Sequence, residues 1–126
     1  MKNIQIIIAF LLSLNLSYSQ VNPLDVEIVR DNYGVPHIYG KTDADVAYGL
    51  AWAHSEDDFK TIQEAYLAGN GLLSKHIGLK GAPVDFISQL IRSDHIVDSL
   101  IDTIDKKFMK IAEAYAQGFN KFAESN

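Results

Sequence analysis

The strongest helical pattern in this sequence lies near its C-terminal end. Apolar residues recur there at steps of three or four positions: Leu100, Ile104, Phe108, Ile111, Tyr115, Phe119 and Phe122. This spacing predicts one amphipathic helix of more than about twenty residues. Gly118 interrupts it at a cost of about 1 kcal/mol relative to alanine, which favours a close contact with another helix at that point.

A second helix is predicted from about Asp43 to Leu67. Thr42 and Asp45 have the spacing of a capping box at its start. Helical spacing places one stripe along it: Ala47, Leu50, Ala51, His54, Phe59, Ile62 and Tyr66. Gly69-Asn70-Gly71 supplies residues that suit a helix end. The prediction continues with a short helix over 72–77 that ends at Gly78, a loop over 81–83 and a helical stretch over 84–91.

An alternating pattern before these helices predicts a β-hairpin. Val26 and Ile28 alternate with polar or outward-facing neighbours, which is typical of a strand with one buried face. Asn32-Tyr33-Gly34 is a turn signal, because glycine adopts positive φ freely and asparagine tolerates it. Residues 35–39 regain β character, and Pro36 limits them to an edge strand or a strand start. The fold class is therefore α+β, mostly helical with a short N-terminal hairpin.

Residues 1–19 have the layout of a secretory signal peptide. Lys2 gives a positive start, Ile4 to Leu16 form an apolar run, and Ser17-Tyr18-Ser19 is a small-x-small cleavage site before Gln20. The apolar run is shorter than the roughly 20 residues that a membrane-spanning helix needs. We therefore expect a mature chain of residues 20–126 that is periplasmic or secreted and has no membrane span once the signal is removed.

Charge and composition exclude several classes of protein. The formal net charge of −5 leaves no basic surface to neutralise phosphates, so we expect no nucleic-acid partner. The absence of cysteine excludes disulfides, thiolate metal sites and lipid attachment through cysteine.

Residues with reactive side chains do not form a recognisable site in the sequence. His54 and Asp58 are four residues apart and could share a helix face, but two ligands do not make a metal site. The acidic run of residues 56–58 is interpreted as a solvated or salt-bridged face. Ser93-Asp94-His95 has the residue types of a hydrolase triad, yet neighbouring side chains point apart, which indicates a helix boundary instead. We assign no catalytic, substrate-binding or metal-binding residue.

Two stretches at this separation resemble the N-terminal part of the penicillin acylase (penicillin amidase) family of N-terminal-nucleophile hydrolases. The first is VEIVRDNYGVPHIYGKTDADVAYGLAWAHSEDDF, and the second is AYAQGFNKF. The family's turn motif and the helix that follows it match at Asp31, Gly34, Val35, Pro36, His37, Ile38, Gly49, Ala53 and Asp57. The second motif matches at Tyr115, Gly118 and Asn120. Asp58 departs from the pattern, because the family usually has arginine there.

The resemblance implies that this chain is the N-terminal portion of an acylase α chain, an incomplete domain within a larger αββα fold. It implies an exported precursor, or zymogen, that is cut into α and β chains and hydrolyses the amides of penicillins or N-acyl homoserine lactones. The nucleophile would be the N-terminal serine of the β chain, which lies outside this sequence, so this chain alone should be inactive. Asp31, Gly34, Pro36 and His37 would have structural roles.

The implied partners are the remainder of the α chain, the β chain of the same precursor and a small-molecule amide substrate. No cofactor is expected in this chain, whereas the family includes members in which the full enzyme binds Ca²⁺. The alternative is a small secreted helical binding or inhibitor protein without catalysis. The apolar stripes favour the first reading, because two strands and a few helices cannot cover them.

Overall fold

The described part of the chain is a β-hairpin that packs on a set of helices. The computed structural model describes residues 20–126, so the leader predicted for residues 1–19 lies outside the described residues. The strands are β1 (Glu27–Arg30) and β2 (Pro36–Tyr39), and the helices are α1 (Asp43–Gly69), α2 (Leu73–Ile77), α3 (Ala82–Ile91), α4 (Ser93–Leu100) and α5 (Lys106–Ser125). The predicted α+β class with an N-terminal hairpin is confirmed.

The hairpin is antiparallel, with Ile28 opposite Ile38 and Arg30 opposite Pro36. Gly34 takes the positive φ of the turn, at +83°. The side chain of Asp31 stabilises this turn, because its Oδ1 accepts hydrogen bonds from the N–H groups of Tyr33 at 2.8 Å and Val35 at 3.0 Å. Pro36 is the first residue of β2, a position where its missing N–H is tolerated.

Helix α1 begins with the predicted capping box. The backbone N–H of Thr42 donates to Asp45 Oδ2 at 2.8 Å, and the N–H of Asp45 donates to Thr42 Oγ1 at 3.2 Å. The helix is not continuous, because Asp58 has φ −157° and ψ 71°. Its Oδ1 accepts the N–H of Thr61 at 3.1 Å and so caps the second half of α1. The prediction of one uninterrupted helix was wrong at this residue.

Helices α1 and α5 form the main packing contact. A Cβ added to Gly118 of α5 would lie 2.3 Å from the carbonyl oxygen of Tyr48 in α1, so the two backbones meet closely there. Val21, Ala47, Tyr48 and Ala114 form the buried apolar cluster beside this contact. Farther along, the rings of Phe59 and Phe119 stack at 5.2 Å and those of Trp52 and Phe122 meet edge to face at 5.3 Å.

The predicted C-terminal helix begins later than its apolar spacing suggests. Leu100 ends α4, and Ile104 is extended with φ −73° and ψ 138°. Asp105 starts α5 by accepting the N–H groups of Lys107 at 2.8 Å and Phe108 at 3.3 Å. A carboxylate in this position competes with helix continuation, and the apolar period merely happens to continue across the break.

The segment between α1 and α4 is held by one buried carboxylate. Asp85 of α3 accepts the N–H groups of Leu73 at 2.7 Å and Ser74 at 2.8 Å, and so caps α2 from a neighbouring helix. The loop predicted over residues 81–83 was wrong from Ala82 onward, because proline is compatible with the first turn of a helix and Pro83 occupies that turn of α3.

Helices α3 and α4 expose many apolar side chains. The α3–α4 face consists of Phe86, Ile87, Leu90, Ile91, Ile96, Val97 and Leu100, which are all exposed. Of the predicted apolar stripes, Leu50, Tyr66, Leu100, Ile104 and Phe108 are exposed, whereas Phe59, Phe119 and Phe122 are partly covered. Among residues 20–126, no helix is long and apolar enough to cross a membrane.

Candidate functional site

A groove runs between the N-terminal segment and the α1–α5 pair. It has a volume of about 690 Å³ and is lined by Pro23, Val26, Ile28, Arg30, Tyr48, Trp52, Glu56 and Lys121. We call it the Tyr48 groove. A second cavity of about 400 Å³ shares Pro23, Tyr48 and Lys121 with it and extends to Asn120 and Glu124. Apolar side chains and the charged side chains of Arg30, Glu56 and Lys121 line the groove together.

The regular spacing of α1 builds the floor of this groove. Tyr48, Trp52 and Glu56 are four residues apart and therefore lie on one face of the helix. Val26, Ile28 and Arg30 are two apart in and beside β1 and point to the same side of the hairpin. Gly49 lets the two elements approach, since a Cβ there would lie 2.6 Å from Ile38 Cγ2 and 2.8 Å from Val26 Cγ1.

Tyr48 places a polar atom in these apolar surroundings. The residue is 6% exposed, and its hydroxyl has no hydrogen-bond partner within residues 20–126. Burial raises the pKa of this hydroxyl, and the negative charge of Glu124 adds to the effect. A buried hydroxyl without a partner is costly, and most such groups in proteins are satisfied.

Arg30 connects the hairpin to α1. Its guanidinium lies 3.1 Å from Glu56 Oε2 and 2.8 Å from Asp57 Oδ1, and it donates to the carbonyl oxygen of Gly34 at 2.8 Å. Hydrogen bonds to Glu56 and then to Asp57 raise the pKa of the guanidinium. The acidic run of α1 is therefore a salt-bridged face, as the sequence indicated. All three side chains are partly exposed, so these pairs contribute little stability individually.

The structure gathers the residues of the first motif into one cluster. Asp31, Gly34, Pro36 and His37 form the hairpin turn and the start of β2, and His37 Nε2 lies 3.4 Å from Asp31 Oδ2. Arg30 bridges this cluster to Asp57.

The residues of the second motif lie on α5. Tyr115 and His54 of α1 are hydrogen-bonded through the hydroxyl and Nδ1 at 3.2 Å. Gly118 lies at the crossing of the two helices, and Asn120 lines the second cavity.

Asp31 should make the turn sensitive to acid. Backbone hydrogen bonds from Val35 and Tyr33, with a smaller contribution from His37, lower the pKa of this carboxyl below its ordinary value of 3.8. A carboxyl whose pKa is lower in the folded state than in the unfolded state stabilises the fold at pH values above the unfolded pKa. That contribution is lost as the pH falls through the folded pKa. Asp31→Asn should therefore lower the melting temperature at neutral pH by a few degrees, and the difference from the parent should vanish at strongly acidic pH.

Thermal unfolding followed by circular dichroism over a pH series would measure this difference. Asp98→Asn is the matched control, because Asp98 is exposed on α4 and should leave the acid limb of the profile unchanged. A constant difference between Asp31→Asn and the parent at every pH would contradict the assignment.

The described residues do not form a metal site or a nucleophile–base pair at the positions weighed in the sequence. Among residues 20–126, no three histidine, aspartate or glutamate side chains are grouped as metal ligands. Glu56 and Asp57 face Arg30, and Asp58 caps a helix, so this part of the chain does not fit a calcium ion. Ser93 starts α4 and donates its hydroxyl hydrogen to the carbonyl oxygen of Ser88 at 3.4 Å.

Sequence reasoning missed the groove itself. It assigned no role to Tyr48, Trp52 or Lys121. The spacing of residues 48, 52 and 56 could have indicated a lined face, since residues four apart lie on one side of a helix. The burial of the Tyr48 hydroxyl without a hydrogen-bond partner in residues 20–126 depends on contacts between residues distant in sequence, and a local sequence pattern does not indicate such contacts.

Comparison with known proteins assigns this architecture to a family. A family model described as penicillin amidase matches residues 25–126. The acyl-homoserine lactone acylase PvdQ of Pseudomonas putida is 26% identical over 113 residues, covering 82% of this chain and 15% of that protein. Penicillin G acylase of Escherichia coli is 26% identical over 103 residues, covering 79% of this chain and 12% of that protein. This chain thus spans less than a fifth of the length of these relatives.

A solved structure shares the fold. The thermostable penicillin G acylase of Alcaligenes faecalis has a TM-score of 0.72 and 24% sequence identity, and the match covers 79% of this chain and 53% of that chain. The hairpin and helices described above are therefore part of an N-terminal-nucleophile hydrolase fold. With a family match over nearly all of residues 20–126, this chain belongs to the penicillin amidase family.

Proposed function

We propose that this chain is the N-terminal part of the α chain of an exported amide hydrolase. Residues 1–19 would direct export and residues 20–126 would remain in the mature protein, in the periplasm or secreted. The observation that carries the proposal is the family match over residues 25–126. The exposed apolar side chains of the α3–α4 face support it, because exposed apolar patches often mark a surface on which another polypeptide packs.

The reaction would be hydrolysis of a linear amide through an acyl-enzyme. The hydroxyl oxygen of the serine that processing exposes on the β chain would add to the amide carbonyl, with the α-amino group of that serine taking the proton. The amine would leave with a proton, and water would then cleave the ester to release the acid. None of the residues described here takes part in these bonds. Their contribution is to hold the hairpin and helices against the remainder of the enzyme.

The proposed substrates are penicillins and N-acyl homoserine lactones, by analogy with the named relatives. The proposed partners are the remaining α chain and the β chain of the same precursor. Calcium would be bound, if the complete enzyme uses it, outside residues 20–126.

Activity measurements on two proteins would test the proposal. The product of the complete reading frame should release the amine from penicillin G or from an N-acyl homoserine lactone, whereas residues 20–126 alone should release none. The matched control is the complete product with its processed N-terminal serine replaced by alanine, which should be inactive. Turnover by residues 20–126 alone, or no turnover of either substrate class by the processed complete protein, would overturn the proposal.

A further inference from the structure

The end of helix α1 carries the one Asn-Gly pair of this sequence, Asn70-Gly71. Asparagine before glycine is especially prone to deamidation, because glycine has no side chain to hinder attack of its backbone nitrogen on the asparagine amide. Asn70 is exposed, and its Nδ2 donates to the carbonyl oxygen of Tyr66 at 2.8 Å. Gly71 is buried. Water can thus reach the amide that would react, but the nitrogen that would attack it is covered.

A Schellman motif holds this nitrogen in place. The N–H of Gly71 donates to the carbonyl oxygen of Ala68 at 3.1 Å. The N–H of Leu72 donates to the carbonyl oxygen of Leu67 at 2.8 Å, which completes the motif. Gly71 takes the positive φ that the motif requires, at +63°. The backbone nitrogen of Gly71 is therefore engaged while the end of α1 is closed.

Helix α3 keeps the motif closed. The hydroxyl of Ser88 donates to the carbonyl oxygen of Ala68 at 2.7 Å, so the same carbonyl serves α3 and the N–H of Gly71. A Cβ added to Gly71 would lie 3.2 Å from Gln89 Cγ, which shows how tightly α3 covers this residue. The N–H of Gly71 becomes free only when α3 and the end of α1 move apart.

We propose that Asn70-Gly71 is a deamidation site that reacts only when the end of α1 separates from α3. In the open state, hydroxide removes the proton of the Gly71 nitrogen, which then attacks Asn70 Cγ. The new N–C bond closes a succinimide, and the Cγ–Nδ2 bond breaks as water protonates the amide group to release ammonia. Water then opens the ring at either carbonyl and leaves aspartate or isoaspartate. This modification does not depend on the proposed function.

The modified residue cannot restore the closed end of α1. Aspartate lacks the N–H that Asn70 donates to the carbonyl oxygen of Tyr66. Its negative charge also lies at the carbonyl end of the helix, where the helix dipole disfavours an anion. Isoaspartate in addition lengthens the backbone by a carbon atom, which alters the spacing of the Schellman bonds. Each modified molecule therefore keeps a loosened junction between α1 and α3.

Two rates measured on the complete protein test the opening. Mass spectrometry of the peptide that contains Asn70 gives the deamidation rate in native buffer and in urea at the same pH, and amide hydrogen exchange gives the protection of Gly71. Because both reactions begin with removal of the same proton, the fold should slow them by the same factor, at least about tenfold. Equal deamidation rates in the native and unfolded protein, or a slowing far from the protection of Gly71, would overturn the proposal.

A matched pair of serine variants tests the role of α3. Ser88→Ala removes the bond to the carbonyl oxygen of Ala68 and should raise the deamidation rate about fivefold, as the loss of one hydrogen bond predicts. Ser99→Ala is the control, because Ser99 donates to the carbonyl oxygen of Ile96 within α4, and the rate should stay at the parent value. An unchanged deamidation rate in Ser88→Ala would contradict the assignment of α3 as the cover.

A product mimic tests the last step. Asn70→Asp should speed hydrogen exchange of the Gly71 and Leu72 amides about fivefold, because a bond is lost and a charge is added at the end of α1. Asn32→Asp adds the same charge in the hairpin turn and should leave both amides unchanged. Parent-like exchange in Asn70→Asp would show that the modified chain closes again, and the proposal of a lasting change would fail.

Discussion

Gly118→Leu should separate helices α1 and α5. A Cβ at this position would lie 2.3 Å from the carbonyl oxygen of Tyr48 and 3.1 Å from the Cβ of Ala51. Neither neighbour can rotate away, because one is backbone and the other is a methyl group fixed to it. We expect a loss of about 3 kcal/mol, at the upper end for an overpacked core. Exchange of the amides around Ala114 should then be about 100-fold faster, since each 1.4 kcal/mol is a factor of ten.

A graded series and a control make this result interpretable. Gly118→Ala should be destabilising by a smaller amount, although alanine gains about 1 kcal/mol in helix propensity over glycine. Gly69, at the end of α1, has nothing within 4 Å of an added Cβ, so Gly69→Ala and Gly69→Leu should be neutral or slightly stabilising. Equal effects at the two positions would show that the helices do not meet at Gly118.

Gly49→Leu should detach the hairpin from α1. The added side chain would collide with Ile38 and Val26, whose methyl groups lie 2.6 Å and 2.8 Å from an ideal Cβ. We expect a local cost of about 2–3 kcal/mol. Because an isolated two-stranded hairpin is marginally stable in water, its amides should lose most of their protection. The amides of α5 around Ala114 should change much less.

Hydrogen exchange resolved by segment measures both regions in one experiment. Gly69→Leu is again the matched control, as it adds the same side chain to the same helix without meeting the hairpin. If Gly49→Leu loosened α5 as much as it loosened β1 and β2, the hairpin would not be a separately docked unit.

Local patterns predicted much of the fold. The turn and the capping box at Thr42 each depend on a few neighbouring residues, and the glycine within the helical stripe at position 118 indicated the close approach. The interruptions at Asp58 and Asp105 were missed because an apolar period says nothing about a carboxylate that competes for backbone N–H groups. Both residues accept such bonds and begin a new helix.

The candidate site was less predictable than the fold. The motif residues around Asp31 could be found by their resemblance to a family, and they indeed lie together. The Tyr48 groove depends on how the first described residues pack on α5, through contacts such as Val21 N–H to Gln117 Oε1 at 3.0 Å. These residues are 96 positions apart. Only the assembled structure shows which residues line the groove.

This bond between Val21 and Gln117 has a consequence for the order in which the native contacts can form. Val21 is synthesised early, but its acceptor follows only after most of the helices, because the two residues are 96 positions apart. Until then the ring of Tyr48 lacks the cover of α5. Closing so long a loop is slow, so the N-terminal segment should be among the last parts of the chain to dock.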